Sequence, residues 1–399
     1  MKKFFMLTIF LLFSLCLLTY KFYKEDIIEE VPTKNIKQSS MLSMMLETKA
    51  GSGKYEMTTS SSWPTDGYVF NSELSKCENG STLSWDDANK QVVFNGDITD
   101  KCYVFFDKGF TLASFVISQY TGTQGENNIY YHDSNLTNGA GDNSYRYSSK
   151  SAENYVCFGT DDTTCPKDNL YRIIGLFGGN IKLVKNDYAG SDLLGTNGNY
   201  GGQATTEEKV GYLGNKKPLE KYNFGSNNTW SSSKLNTINL NTNFINNIGN
   251  KWSNMIISAV WKVGGNTSTN ILNNSVRTVF TNEIKNPVNN TYTAKIGLMY
   301  VSDFGYASVA SRWTTMMEES SSGHANINNY LFLRFDDWTI TPNSGNSNNI
   351  YSIRSEGIVT TASVNVAKGI RPAFYLKDSV MYVSGTGTIS DPIRVIEAQ

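Results

Sequence analysis

The clearest alternation of apolar and polar positions runs from Leu170 to Lys185, LYRIIGLFGGNIKLVK. Gly178 and Gly179 interrupt it at its centre, which predicts two antiparallel strands joined by a two-residue turn. Tyr171, Ile173 and Phe177 share a face of the first arm, and Ile181 and Leu183 alternate with Lys182 on the return, so at least one face seeks a core. The expected partner is remote: Ile370 to Leu376, IRPAFYL. Pro372 cannot donate to a ladder and belongs at an end, an edge or a bulge; the remainder is expected against Leu170 to Leu176. Upstream, Gly67–Phe70, Ser81–Trp85, Lys90–Asn95 and Lys101–Phe106 alternate in short runs between turn clusters such as Glu78-Asn79-Gly80. They predict a small all-β domain over residues 51–108.

Between the two β regions, residues 109–125 carry Leu112, Phe115, Val116 and Tyr120 at helical offsets, the pattern of a short connecting helix. Residues 126–399 then form the principal α+β domain. Strands are expected at Asn154–Phe158, Met255–Val263, Lys295–Val301 and Tyr330–Ile340, and two successive helices between Trp230 and Ile248, stopped by Gly249. Tyr130 to Tyr147 reads as loop. So does Asn186 to Ser226, dense in Gly and Asn; loops that long are usually functional or mobile.

The N-terminus changes the setting. Phe4 to Tyr20 is an apolar run behind Lys2 and Lys3, about 25 Å long as a helix and near the lower limit for spanning a bilayer. No small-residue cleavage site follows it, so residues 1–24, with the helix at 4–20, are expected as an uncleaved anchor in the plasma membrane. Residues 25–50 then form a stalk, with a short helix near Met41 to Thr48, and everything beyond lies outside the cell as a single-pass protein.

Charge is balanced, 35 Lys plus Arg against 36 Asp plus Glu, which leaves no electrostatic footprint for nucleic acid. The loops are polar but uncharged, and 23 tyrosines help bring the aromatic share to 13%, a mixture that suits a wall-facing protein. Of five cysteines, Cys16 lies in the apolar run. The other four fall in two local pairs, which in an exported chain predicts disulfides Cys77–Cys102 and Cys157–Cys165, though four cysteines allow three connectivities. No metal is expected: C-x-x-C spacing is absent and the chain has two histidines. No cofactor is expected either.

Tyr171–Val184, Trp230–Phe244, Lys295–Ala307, Trp338–Arg354 and Gly369–Leu376 follow one another in an order that resembles a family of uncharacterised bacterial extracytoplasmic domains. That family is similar to the C-type lectin-like fold shared with formylglycine-generating, sulfatase-modifying proteins. GIRPAFYL, Gly369 to Leu376, is the most specific element. Gly51 to Asp107 resembles a module that recurs in surface proteins of low-GC gut Firmicutes. The resemblance implies an α+β, C-type lectin-like C-terminal domain behind a small all-β domain and an N-terminal membrane helix; it implies no activity. The reactive cysteine pair of the formylglycine enzymes has no counterpart after Cys165, and neither Glu-Pro-Asn, Gln-Pro-Asp nor Trp-Asn-Asp occurs. Calcium-dependent sugar binding is thus unsupported, although Asp303, Asp336 and Asp337 offer oxygen ligands of another arrangement.

G-x-S-x-G, a P-loop, a Rossmann fingerprint and H-E-x-x-H are missing. His132 and His324 sit among loop-forming residues and read as solvated surface groups. Cys165 after two threonines resembles a transpeptidase nucleophile, but its nearness to Cys157 favours the disulfide. Asp336 and Asp337 are adjacent on an expected strand and point to opposite faces, so they cannot flank one glycosidic bond. Arg371 reads as the donor of a structural charge-assisted bond. Tyr306, Trp313, Trp338 and Tyr351 offer rings for stacking on sugars, though strand tryptophans more often fill cores. A ligand site is expected near Trp338, Tyr351 and Arg354, on the side where long loops gather. The expected function is non-catalytic binding of a glycan or surface protein; the alternatives are a structural surface protein and a glycan-active enzyme.

Overall fold

The computed structural model describes residues 42–48, 52–60, 62–64, 67–86, 89–203, 220–285, 290–317, 328–333 and 336–397. Its first unit is built on β7, Cys102–Lys108, whose Cys102, Val104 and Phe106 alternate inward as the period of a half-buried strand requires. β1, Leu42–Glu47, lies parallel to it, from Leu42 opposite Cys102 to Leu46 opposite Phe106. β2 (Tyr55–Met57) flanks β1, β3 (Tyr68–Phe70) and β4 (Lys76–Cys77) pair with β7, and β5 (Thr82–Asp86) and β6 (Gln91–Asn95) make a separate hairpin. Met44, Val104 and Phe106 form the core, closed by Trp63, Tyr68, Phe70, Leu83, Trp85 and Val92. A core this small gains from the Cys77–Cys102 disulfide, which joins β4 to β7. By the chain-entropy model it contributes about 3 kcal/mol.

Here the stalk reading is corrected at its end. LSMMLE is rich in helix formers, yet it is a strand of this sheet, because pairing on both edges outweighs propensities worth tenths of a kcal/mol per residue. The rest of the stalk, the anchor at 4–20, Cys16 and His324 lie outside the described residues. Among those residues, no helix is long and apolar enough to cross a membrane.

Gly109 to Thr111 lead into α1, Leu112–Gln119, capped by the Thr111 hydroxyl, which accepts from the Ser114 amide. Next comes a hairpin the sequence reading had as loop, β8 (Ile129–His132) against β9 (Ser144–Tyr147), and then β10, Tyr155–Cys157, joined to Cys165 by the second disulfide. The central hairpin stands as expected. β11 (Leu170–Phe177) and β12 (Asn180–Lys185) turn through Gly178 and Gly179 at φ 56° and 93°, the left-handed pair a type I′ turn requires. Both of its faces are buried.

The terminal strand Ala373–Tyr375 does pair with this hairpin, Leu183 opposite Phe374, with Pro372 just outside the ladder. It pairs with the return arm and not with Leu170–Leu176, because both edges of β11 are occupied, by β12 on one side and by β10 and β9 on the other. Ile393–Ile396 runs parallel to β10 and antiparallel to Met381–Ser384. That last strand meets the connecting segment: the Leu112 amide donates to the Val380 carbonyl and the Tyr382 amide to that of Phe110. The two ends of the C-terminal unit therefore meet.

Other expectations shift by an element. Between Trp230 and Ile248 a short 3-10 turn, Trp230–Ser232, precedes a widely wound π-helix, Leu235–Phe244, that continues into Ile245–Asn247, so the break falls at Ser233 and not near Asn241. Thr242 and Asn241 bond by side chain to carbonyls five residues back, at Thr237 and Asn236, which suits that winding. Lys295–Val301 is a two-residue strand, Ile296–Gly297, followed by the helix Val301–Tyr306. The strand expected over Tyr330–Ile340 begins at Asp337 and opens a three-stranded sheet, Asp337–Pro342, Asn349–Ile353 and Val359–Ser363.

A chain beginning at Gly51 lacks β1, which stands between β2 and β7. Its residues 52–108 should exchange amide hydrogens as an unfolded segment, whereas a chain beginning near residue 36 should protect Val104 and Phe106. Equal protection in the two chains would contradict the central place of β1.

Candidate functional site

Because both faces of β12 are covered, Lys182 is carried into the interior. Its ammonium lies 2.6 Å from Asp303 Oδ2, with both side chains under 4% exposed, and the rings of Tyr300, Trp261 and Tyr375 stand 4.4, 5.2 and 5.3 Å from it. Asp303 belongs to the first turn of Val301–Tyr306, where the same oxygen accepts from the Tyr300 amide at 2.8 Å. Arg146 of β9 approaches from the other side. It binds Asp142 at 2.6 Å and the Ser144 hydroxyl at 2.8 Å, reaches Asp303 at 3.9 Å, and lies over Phe177, Phe280 and Tyr306 at 4.6 to 5.1 Å.

Glu283 closes this centre from the helix end. It accepts from the amides of Val301 (3.1 Å) and Ser302 (3.0 Å) and from the Thr341 hydroxyl. Burial raises its pKa, and the Thr341 and Ser302 hydrogen bonds hold it back. Burial likewise outweighs Arg371 at Asp337, which is raised although it binds that guanidinium at 2.6 Å and accepts from Tyr188 at 2.5 Å. Arg371 thus has the structural role expected of it, and its second bond goes to the Leu331 carbonyl.

His132 corrects the surface reading. It is wholly buried between Tyr306 and Trp313, accepts from the Ala140 amide through Nδ1, and is driven well below its ordinary pKa by burial and then by Arg146. The ring is neutral with its proton on Nε2, an assignment that follows from that hydrogen bond. The sequence misled because YYHDS resembles a turn, whereas its alternation belongs to an inward-facing strand.

The expected ligand residues are not brought together at the surface. Trp338 and Tyr351 are interior: the Trp338 indole donates to the Tyr222 carbonyl at 3.0 Å and the Tyr351 hydroxyl to that of Asn266 at 3.2 Å. Their strands are covered on both faces, so neither ring offers a face for stacking. Arg354 is exposed and pairs with Glu356 at 3.3 Å. Tyr306 and Trp313 are interior as well.

The three aspartates proposed as oxygen ligands already hold cations. Asp336 binds Lys368 at 2.5 Å and Asp337 binds Arg371, while Asp303 binds Lys182. Asp100 sits beside Cys77 and Cys102 at metal-ligand spacing, but the sulfurs are joined and Asp100 accepts from the amides of Asn79 and Ser81. That donor set does not suit a metal.

A different cluster does reach the surface. Tyr131 and Tyr145 lie directly opposite across β8 and β9, and Gln124 bonds to both the amide (2.9 Å) and the carbonyl (2.8 Å) of Tyr131. Those groups therefore point away from β9, which makes the pair a non-hydrogen-bonded one with closer side chains. The rings stand 4.6 Å apart. Tyr120, from the end of α1, packs on both at 6.1 and 5.7 Å. All three are half-buried, and burial, then Tyr131 and Tyr120, raise the Tyr145 pKa. The result is an uncharged ridge of three phenols. A signal for it was present in Tyr130-Tyr131 and in Tyr145-Arg146-Tyr147, but the third ring arrives from another element.

No protein-family model matches this chain, and neither the curated proteins nor the solved structures contain a match.

Two stability predictions follow from the buried charges. Asp303→Asn leaves Lys182 without its counter-ion and should cost about 3–5 kcal/mol in urea denaturation. In a Lys182→Met background the same change should cost far less, and an undiminished cost would show that the pair is not coupled. Lys185 is buried with its ammonium on the Asp168 carbonyl, and burial lowers its pKa to about 8 against the resisting charges of Asp187 and Asp192. Between about pH 8 and 10 the unfolded chain keeps a proton the folded chain has lost, so stability should rise with pH there, by about 2 kcal/mol. Lys185→Met should flatten that rise.

Proposed function

We propose that this chain is a membrane-anchored, extracytoplasmic bacterial surface protein whose C-terminal part is a C-type lectin-like, non-catalytic binding domain. The tyrosine ridge Tyr120–Tyr131–Tyr145 is its docking surface, and a neutral glycan is its ligand. The observation that carries this reading is the ridge itself. Three contiguous rings are half-exposed, whereas the other aromatic candidates, Tyr306, Trp313, Trp338 and Tyr351, are buried in the core. Ring faces stack on the C–H faces of a pyranose and phenol hydroxyls bond its oxygens. The rings already touch one another, which leaves no central space of the kind a cage for a cationic head requires.

The edge beside the ridge also bears on the choice. Gln124 closes the outer edge of β8 at Tyr131, and the Gly125 amide closes it at Ile129, so an added peptide strand finds no free ladder there. Two disulfides suit an oxidising exterior. The lectin-like reading is supported by the pairing of the GIRPAFYL strand with the central hairpin.

The test is an array of bacterial and host glycans and host surface proteins probed with the full chain. Glycan binding weakened about threefold to tenfold by Tyr131→Ala or Tyr145→Ala, with thermal stability retained, is the expected result. Binding that ignores both variants moves the site elsewhere; no binding to any probe would favour the purely structural reading. Fractionation should find the chain in the membrane with residues 1–24 intact, and a soluble product starting near residue 25 would remove the anchor.

A further inference from the structure

β1 is where the chain enters the small unit and β7 is where it leaves for the rest of the protein. The two are nearest neighbours and run parallel. Tension applied between the segment before Leu42 and the segment after Lys108 therefore pulls the strands past one another along their length. In that geometry the ladder bonds from Leu42/Cys102 to Leu46/Phe106 share the load and must fail together. Had the strands been antiparallel, the same pull would open them one bond at a time.

We infer that this unit is a tension-bearing coupler, a shear clamp between whatever holds the chain at its N-terminal side and whatever the C-terminal domain grips. The physiological setting rests on the proposed surface reading; the mechanical asymmetry is a property of the sheet alone. Three features reinforce it. The buried Glu47 carboxylate, at the far end of β1, accepts from the amides of both Lys108 (2.9 Å) and Gly53 (2.8 Å), and so latches the last residue of β1 to the last of β7. β1 is held on its other edge by β2. The Cys77–Cys102 disulfide fixes β4 on β7 at the end opposite that latch and removes the intervening residues from the extensible length.

Stretching the full chain by optical tweezers tests this directly. One handle is attached at the N-terminus, and the other through an azide-bearing side chain placed either at Lys108 or at Lys101, both exposed and at opposite ends of β7. Pulling through Lys108 shears the β1–β7 ladder; pulling through Lys101, beside the Leu42/Cys102 end, peels it. At equal loading rate the rupture force through Lys108 is expected to be severalfold the higher. Reductant should lengthen the Lys108 rupture step by about 90 Å, the reach of the 25 residues between the joined cysteines at about 3.6 Å each. Glu47→Ala, which cuts the latch and leaves the ladder, should lower the Lys108 force and leave the Lys101 force nearly unchanged.

Equal forces in the two geometries would overturn the inference, as would a Lys108 step whose length ignores reductant. Because both handle positions sit on one folded chain, a folding defect cannot imitate the asymmetry. Loss of membrane association in cells would remove the proposed anchor while leaving the force difference intact, so the two readings fail separately.

Discussion

The contact on which the C-terminal unit depends is the buried pair Lys182–Asp303. A lysine in the middle of a strand covered on both faces would be prohibitive alone, since an ammonium stripped of water costs several kcal/mol. Its counter-ion sits in the first turn of a helix 121 residues away in sequence, so the hairpin cannot be buried until that helix is in place. The same carboxylate turns toward Arg146 of a third element. One oxygen pair thereby sets the mutual position of hairpin, helix and outer strand, and a misplaced helix would leave Lys182 unpaired. This is a device for specifying one arrangement more than for strengthening it.

Much of that arrangement was legible in order but not in register. Period-2 alternation with glycines at the turn gave away the central hairpin, the strands of the small unit and the partnership of residues 370–376. Cysteine spacing gave the two disulfides. Alternation says which residues share a face; it does not say whether the other face is covered too. Hence Trp338 and Tyr351 read as ligand platforms and are core, and Lys182, on the opposite face from Ile181 and Leu183, is buried too. LSMMLE was hidden for a different reason, its helix-favouring composition being overruled by two neighbours remote in sequence. His132 and the tyrosine ridge depend on elements converging from three places, which no local pattern announces.

The chemistry of the interior and that of the surface are divided in a way that explains the functional reading. Lys182, Asp303, Arg371, Asp337 and the His132 imidazole are held inside by structural partners, whereas the ridge outside is built of phenols. A surface of that kind recognises by stacking and by exchange of hydrogen bonds with water, and it is little affected by salt because there is no charge for ions to screen.

The sheet order also has a consequence for the timing of folding. Ile393–Ile396 is inserted between β10 and Met381–Ser384, so a strand made among the last has to find a neighbour, Tyr155–Cys157, made roughly 240 residues earlier. No partial chain can finish that sheet, and loop closure on this scale makes folding slow. Under the surface reading proposed above, such a delay would keep the chain slack during passage through a membrane channel. The topology that ties the two ends of the domain together thus acts as a timer on folding, which waits for the strand Ile393–Ile396.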